Sequence, residues 1–276
     1  MLLGLIKILR PLNLLITLIC ILLSSLIIGK LSYSVLPIAI VIVLLAGFAN
    51  IINDIFDYKI DQVNNKNRVI ASGAVERSYG LIYAIFLLCI ALFIIFNYQF
   101  NDITKQLILL VNLPLIILYT PVFKKIPLIG NIVVSFLLSM VFLVTTTYLQ
   151  GDIKLIIPPA ILAFLLMIIR EIIKDIADLD GDKTFYINTL PVQLGVDYAF
   201  RIIVFFSVIL ILVSIYFTKL YNITYLIFLC LLVLLPLIYY LYQLSKNKTA
   251  NYCIYLAKVL KLITIFGVIV IYLASI

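Results

Sequence analysis

Asn50, Asp54, Asp57 and Asp61, in the stretch NIINDIFDYKID (50–61), stand at offsets of 0, 4, 7 and 11. If the apolar helix that leads into them, VLPIAIVIVLLAGFA (35–49), runs on, a turn of about 100° per residue puts all four on one face. Carboxylates so placed repel one another, so a positive partner is expected in the gap. A second stretch, REIIKDIADLDGDK (170–183), repeats the pattern. Glu171, Asp175, Asp178 and Asp182 each follow their counterpart by 121 residues. Solvated helix ends would explain one such cluster but give no reason for the same spacing twice. Oxygen-only ligand sets favour Mg²⁺, which keeps waters and bridges to phosphate oxygens. Two carboxylate faces opposed across a cavity would hold a pair of Mg²⁺ ions on a diphosphate. Basic groups complete the clamp: Lys66 and Arg68 after the first cluster, Lys124 and Lys125 in YTPVFKKIPLIGN (119–131), and Lys183 after the second. Asn131 brings an amide to the cavity mouth or caps a helix.

Other site chemistries are excluded. Without any histidine there is no histidine metal site, triad or proton relay. The cysteines Cys20, Cys89, Cys230 and Cys253 stand singly in or beside apolar runs, with neither metal spacing nor a disulfide framework.

The elements that must position these groups are membrane helices. The chain is 66% hydrophobic and 12% charged, roughly half the charged share of soluble domains. Several apolar runs reach about 18 residues or more, and none ends in a signal-peptide cleavage pattern. The reading is an all-α polytopic membrane protein, a single domain over 1–276. Its nine spans lie near 12–29, 34–57, 79–96, 105–121, 130–149, 155–177, 198–218, 222–242 and 254–275. With the N-terminus cytoplasmic and the C-terminus external, all of the 20 Lys and Arg except Lys30, Lys105, Lys154 and Lys219 fall inside, a strong positive-inside bias. All of the 12 acidic residues except Asp102 and Asp152 fall there too, where anionic lipid disfavours surplus negative charge. Intramembrane or juxtamembrane carboxylates are functional by default. Both acidic stretches open long polar connections on this side, so the working surface faces the cytoplasm. The matched spacing further implies an internal repeat, two four-helix units (around 12–121 and 130–242) plus a ninth helix.

The net charge of +8 is scattered through the connections, which fits membrane orientation and contact with anionic lipid rather than nucleic acid. A cation channel or transporter would use acidic faces in a repeat, but these carboxylates cluster at one end of the helices, with no charged path through the other half. Most of the 18 Tyr and 17 Phe read as lipid-facing or packing groups.

NDIFDYKID (53–61) resembles the NDxxDxxxD motif of the UbiA superfamily of intramembrane prenyltransferases, and DIADLDGD (175–182) is similar to its second aspartate motif. RPLN (10–13), NKNRVIASG (65–73), YTPVFKK (119–125) and INTLP (187–191) extend the resemblance along the chain. It implies nine transmembrane helices around a central cavity, under a cytoplasmic cap made from the loops between helices 2 and 3 and helices 6 and 7. It implies that Asn50, Asp54, Asp57 and Asp61 serve one Mg²⁺, and Asp175, Asp178 and Asp182 the other. Asn53 is then the leading asparagine, and Arg68, Lys125 and Lys124 contact diphosphate beside Tyr119. The second motif is often DxxxD; Asp178 and Asp182 have that spacing, among several pairings that Asp175 and Asp180 also offer.

The wording of the second motif is most similar to the archaeal ether-lipid branch. That branch would move a geranylgeranyl group from its diphosphate, through an allylic carbocation, to the free hydroxyl of 3-O-geranylgeranylglyceryl phosphate. Quinone-precursor, haem or chlorophyll-type acceptors are the alternatives within the superfamily. The acceptor's phosphate needs its own cation, with Arg10, Lys7 and Arg77 as candidates.

Overall fold

Prolines and polar caps punctuate the apolar runs and so set the helices. The computed structural model describes residues 2–64 and 67–275, and among them every regular element is helical. In chain order these are α1 Leu2–Ile8, α2 Pro11–Ile27, α3 Leu36–Phe56, α4 Tyr58–Asn64 and α5 Arg77–Asn97. They continue with α6 Asp102–Tyr119, α7 Ile129–Tyr148, α8 Ile153–Ala177, α9 Leu179–Thr184 and α10 Leu190–Leu194. Last come α11 Val196–Tyr216, α12 Ile223–Lys246 and α13 Ala250–Ser275. Proline opens α2 and α3, where its missing N–H would be unpaired anyway. Asn101, Asp152 and Asn222 cap α6, α8 and α12 with side-chain oxygens.

Eight of these helices are long and apolar enough to cross a bilayer, and α2, at 17 residues, is a shorter apolar helix beside them. α8 is the hub. It packs against α7, α11 and α13, and Ile168, Ile169, Ile172 and Ile173 along it are almost wholly buried. α2 packs on α7 and α13, and α3 on α5. Phe86, Phe93 and Phe96 on α5 point outward, as a lipid-facing surface requires. α6 and α12 each contain a π turn, Leu107–Asn112 and Cys230–Leu234, shortly before Pro114 and Pro236. A proline has no N–H to give and its ring crowds the carbonyl four residues back. The wider turn makes room for it without breaking the span.

The condition that the helix runs on through the acidic stretch is not met, although the helix ends near 57 and 177 fall as expected. Neither helix runs straight through. α3 stops at Phe56, Asp57 takes φ −81° and ψ 2°, and α4 starts again at Tyr58. α8 stops at Ala177, Asp178 takes φ −94° and ψ 7°, and α9 follows. The two bends fall at counterpart aspartates. Helix-like bonding survives each one. The Asp57 N–H donates to the Asn53 carbonyl at 2.9 Å, and the Asp61 N–H to the Asp57 carbonyl at 2.8 Å. The Asp178 and Asp182 amides do the same at 2.9 and 3.1 Å. Each acidic row is therefore bent rather than dispersed, and the short helices that carry the far ends, α4 and α9, pack on each other.

Candidate active site

Burial and specific donors, rather than solvent, hold the first acidic row. Asp54, Asp57 and Asp61 are all buried. Oδ1 of Asp54 accepts from Arg10 at 2.5 Å and from Arg68 at 3.0 Å. Arg68 also stands 4.0 Å from Asp61. Arg10 reaches inward because it occupies the left-handed region, φ 55° and ψ 69°, in the break between α1 and α2. Lys124 donates to Oδ2 of Asp57 at 2.5 Å. Asn50 donates to the Leu9 carbonyl at 2.9 Å, tying the N-terminal segment to α3. Asn53 accepts from Thr120 at 3.2 Å.

The second row is built in the same way. Asn131, on the first turn of α7, donates to Oδ2 of Asp175 at 2.8 Å. Thr189 donates to Oδ2 of Asp182 at 3.2 Å, while Oδ1 of Asp182 is buried with no hydrogen-bond partner. Glu171 is held on its own helix by Arg170 and by Lys174, the latter at 2.6 Å. Asp54, Asp57, Asp175 and Asp182 thus have one oxygen fixed by a neighbour, and no hydrogen bond among the described residues engages the other. Orienting donors behind a ligand oxygen are the usual second layer of a metal site.

The rows face one another across Lys124. Its ammonium is bonded to Asp57 and also acted on by Asp182 and Asp178. Burial alone would pull Lys124 down, yet Asp57 keeps it above the ordinary lysine value. The charges acting on Tyr119, at the end of α6, include Glu171 and Asp175 from one row and Asp57 from the other. Asn64 latches the two segments: its amide donates to the Asp178 carbonyl at 2.8 Å and accepts from the Gly181 N–H at 2.8 Å. Burial pushes the Asp61 carboxyl up to about 6 despite Arg68, and Asp182 up to about 7 despite Lys124. Asp178 is raised too, again chiefly by burial. Among the described residues no three acidic groups stand close enough to hold an ion as they are, with Lys124 serving as the counter-charge. The oxygen-only donor set, its free oxygens and the orphaned Oδ1 of Asp182 fit a hard divalent cation.

Other expected residues fall differently. Lys125 and Lys183 are exposed and join no ion pair among the described residues. The 3₁₀ turn Phe123–Lys125 turns Lys124 inward and leaves its neighbour in solvent. Lys66 lies outside the described residues. Asn131 meets Asp175 rather than capping α7. Asp180 is exposed, which leaves Asp175, Asp178 and Asp182 for the inner row. Of the acceptor-phosphate candidates, Arg10 is bonded to Asp54, Lys7 is exposed, and Arg77 lies over the Tyr58 ring at 5.4 Å. Sequence reasoning missed Asn64, Thr189 and Lys174 as members of the site. Only Lys174, one turn from Glu171 on a predicted helix, had a legible spacing.

Comparison with known proteins gives the family and the fold. The model of the UbiA prenyltransferase family matches residues 13–270. Among curated relatives, the digeranylgeranylglyceryl phosphate synthase of Methanothermobacter thermautotrophicus is 35% identical over 69% of this chain and 66% of its own length. That of Thermococcus sibiricus is 38% identical over 76% and 75%. A solved structure described as digeranylgeranylglyceryl phosphate synthase in membranes superposes with a TM-score of 0.71 at 25% identity, covering 99% of this chain and 98% of that one. A UbiA homologue from Archaeoglobus fulgidus, bound to GPP and Mg²⁺, shares the fold at 18% identity, with a TM-score of 0.70 and coverage of 97% and 99%.

Proposed function

The chain belongs to the UbiA prenyltransferase family, and from that premise we propose that it is a Mg²⁺-dependent prenyltransferase that forms the second ether bond of archaeal membrane lipids. The donor is geranylgeranyl diphosphate and the acceptor the free hydroxyl of 3-O-geranylgeranylglyceryl phosphate. The relatives' names supply the substrate class. The observation that carries the reading is the pair of bent acidic rows, each with oriented carboxylates and free oxygens, facing across Lys124.

In this reading Asn50, Asp54, Asp57 and Asp61 hold one Mg²⁺, and Asp175, Asp178 and Asp182 a second. When bound, the ions neutralise the diphosphate and make it a better leaving group. Arg68 and Lys124 take up the remaining phosphate charge by exchanging carboxylate partners for phosphate oxygens. The bond between C1 of the prenyl chain and diphosphate breaks, and the acceptor oxygen forms the new ether bond to C1 as its proton passes to the departing diphosphate. The apolar walls of the helices keep water from the allylic cation, and the Tyr119 ring offers it a π face. The wider frame is nine spans around a central cavity, α2 being the ninth, with the segments carrying α4, α9 and α10 as a cytoplasmic cap.

The test gives purified protein in a lipid bilayer geranylgeranyl diphosphate and Mg²⁺ with either the glyceryl phosphate ether or an aromatic acid. Diether product with diphosphate release is expected from the first alone. Turnover of the aromatic acid alone would sink the reading.

A further inference from the structure

Beside the acidic rows lies a second charged cluster that the reaction above leaves unused. Arg170 and Lys174 share Glu171, and Arg170 also donates to the Ala257 carbonyl of α13 at 3.1 Å. Lys261, one turn further along α13, donates to the Asn13 side-chain oxygen at 2.6 Å and has no other hydrogen-bond partner among the described residues. Two cations thus share one carboxylate, with side-chain exposures of 12% for Arg170, 33% for Lys174 and 4% for Glu171, and Lys261 stands four residues beyond the Ala257 carbonyl that Arg170 holds. The buried Nε of Arg10 has no hydrogen-bond partner among the described residues. The cluster is deep. Arg170 stands seven residues before the end of α8, or about 10 Å along the axis. Net positive charge at such depth, without an anion to answer it, is unfavourable.

Below the cluster both helix faces turn largely apolar. Leu166, Ala163 and Pro159 continue the Arg170 stripe of α8, and Thr264, Val268 and Ile271 continue the Lys261 stripe of α13. Both sets keep the three- and four-residue steps of a single helix face. A cationic cluster above apolar helix faces matches an amphiphile with a phosphate at one end and a hydrocarbon chain at the other.

Building on the transferase reading, we propose that this is the acceptor subsite. Arg170, Lys174 and Lys261, with Nε of Arg10, bind the phosphate monoester of the acceptor, whose ether chain extends toward the apolar helix faces. Lys174 links the subsite to the diphosphate clamp: it stands one turn before Asp178, whose N–H donates to the Lys174 carbonyl at 2.9 Å. The two anionic headgroups are thereby held on separate cations, with the glycerol hydroxyl between them.

The test measures binding of dodecyl phosphate, butyl phosphate and a phosphodiester lipid to the protein in a zwitterionic bilayer without Mg²⁺ or prenyl diphosphate. Lys261→Gln should weaken dodecyl phosphate by about tenfold, the loss of one charge-assisted contact, and Lys261→Arg should restore most of it. In turnover, Lys261→Gln should raise KM for the phosphorylated acceptor and leave KM for prenyl diphosphate within about twofold. Unchanged binding, or an equal rise in both KM values, overturns the proposal. Equal competition by the phosphodiester would make bulk lipid the occupant and overturn it too. Dodecyl phosphate should bind more tightly than butyl phosphate; equal binding removes the apolar half of the subsite. Wild-type protein that binds dodecyl phosphate through Lys261 but prenylates only aromatic acids would defeat the transferase reading and leave the subsite standing.

Discussion

At the residue scale, the distinguishing feature is a carboxylate with one oxygen occupied and one free. Asp57 is bound through Oδ2 to Lys124, and Asp182 through Oδ2 to Thr189, with Oδ1 of Asp182 buried and unpaired. Asn in place of either keeps the shape and removes the charge. Asp57→Asn and Asp182→Asn should each lower kcat by about 10²–10³ while the helical circular dichroism signal and melting behaviour stay close to wild type, as an assay of diphosphate release would record. Asp54 is different. It neutralises both Arg10 and Arg68, so Asp54→Ala strands two guanidinium groups and should cost about 3 kcal/mol or more of stability as well as activity. Titration adds a further expectation. Burial raises Asp61 to about 6 and Asp182 to about 7, so in the metal-free protein both hold protons at pH 5. A divalent cation must displace those protons. Mg²⁺ affinity should therefore rise as pH climbs through 6 and 7 and flatten above about 8, with protons released on binding. Calorimetry in buffers of different ionisation enthalpy measures that release, and a pH-independent affinity would remove Asp61 and Asp182 from the ligand set.

At the element scale, the site depends on two short helices being held together. Asn64 bridges α4 to α9 through the Asp178 carbonyl and the Gly181 N–H. A Cβ on Gly181 would meet the Asn64 side chain at 2.4–2.5 Å. Gly181→Ala and Asn64→Ala should both raise the Mg²⁺ concentration needed for half-maximal activity, by about tenfold, from loss of a half-buried pair of hydrogen bonds. Hydrogen exchange should show 179–184 opening more readily in both variants; protection and Mg²⁺ dependence identical to wild type would show that the latch is dispensable. The long helices were legible because a run of apolar residues bounded by Pro11, Pro37, Asn101 or Asp152 leaves few other structures in a bilayer. The acidic rows were legible because spacing is preserved where function requires one face. The helix ends near 57 and 177 were legible too, but the restarts as α4 and α9 were not, since offsets of 4 and 7 look the same on a straight helix and on one that restarts. Nor was Asn64 legible: a lone amide in a polar connection has no periodic signal. Lys124 and Lys125 are adjacent in sequence, and only the 3₁₀ turn decides which one faces Asp57.

At the scale of the whole molecule, the question is which side the bent rows face. The ends of α3 and α8, with α4 and α9 beyond them, carry both rows and the break holding Arg10. We propose that this end is cytoplasmic, because the excess of Lys and Arg lies there and inner-leaflet charge bias fixes orientation. The same frame has an internal echo. The bends at Asp57 and Asp178 stand 121 residues apart, and the spans α6 and α12 each carry a π turn shortly before a proline. We propose that these are corresponding parts of two four-helix units. An even number of crossings per unit puts both acidic ends on one side, so topology and repeat stand or fall together. α12 offers a direct measurement, since exposed Lys219 precedes it and exposed Lys246 ends it. In a background lacking Cys20, Cys89, Cys230 and Cys253, Lys246→Cys should react with a membrane-impermeant maleimide only in inverted vesicles or after permeabilisation. Lys219→Cys should react in intact right-side-out vesicles. The reverse pattern would place the acidic rows outside, away from a cytosolic pool of prenyl diphosphate. Labelling of both positions from one side would mean that α12 does not cross, which would defeat the paired four-helix arrangement while leaving the clamp itself intact.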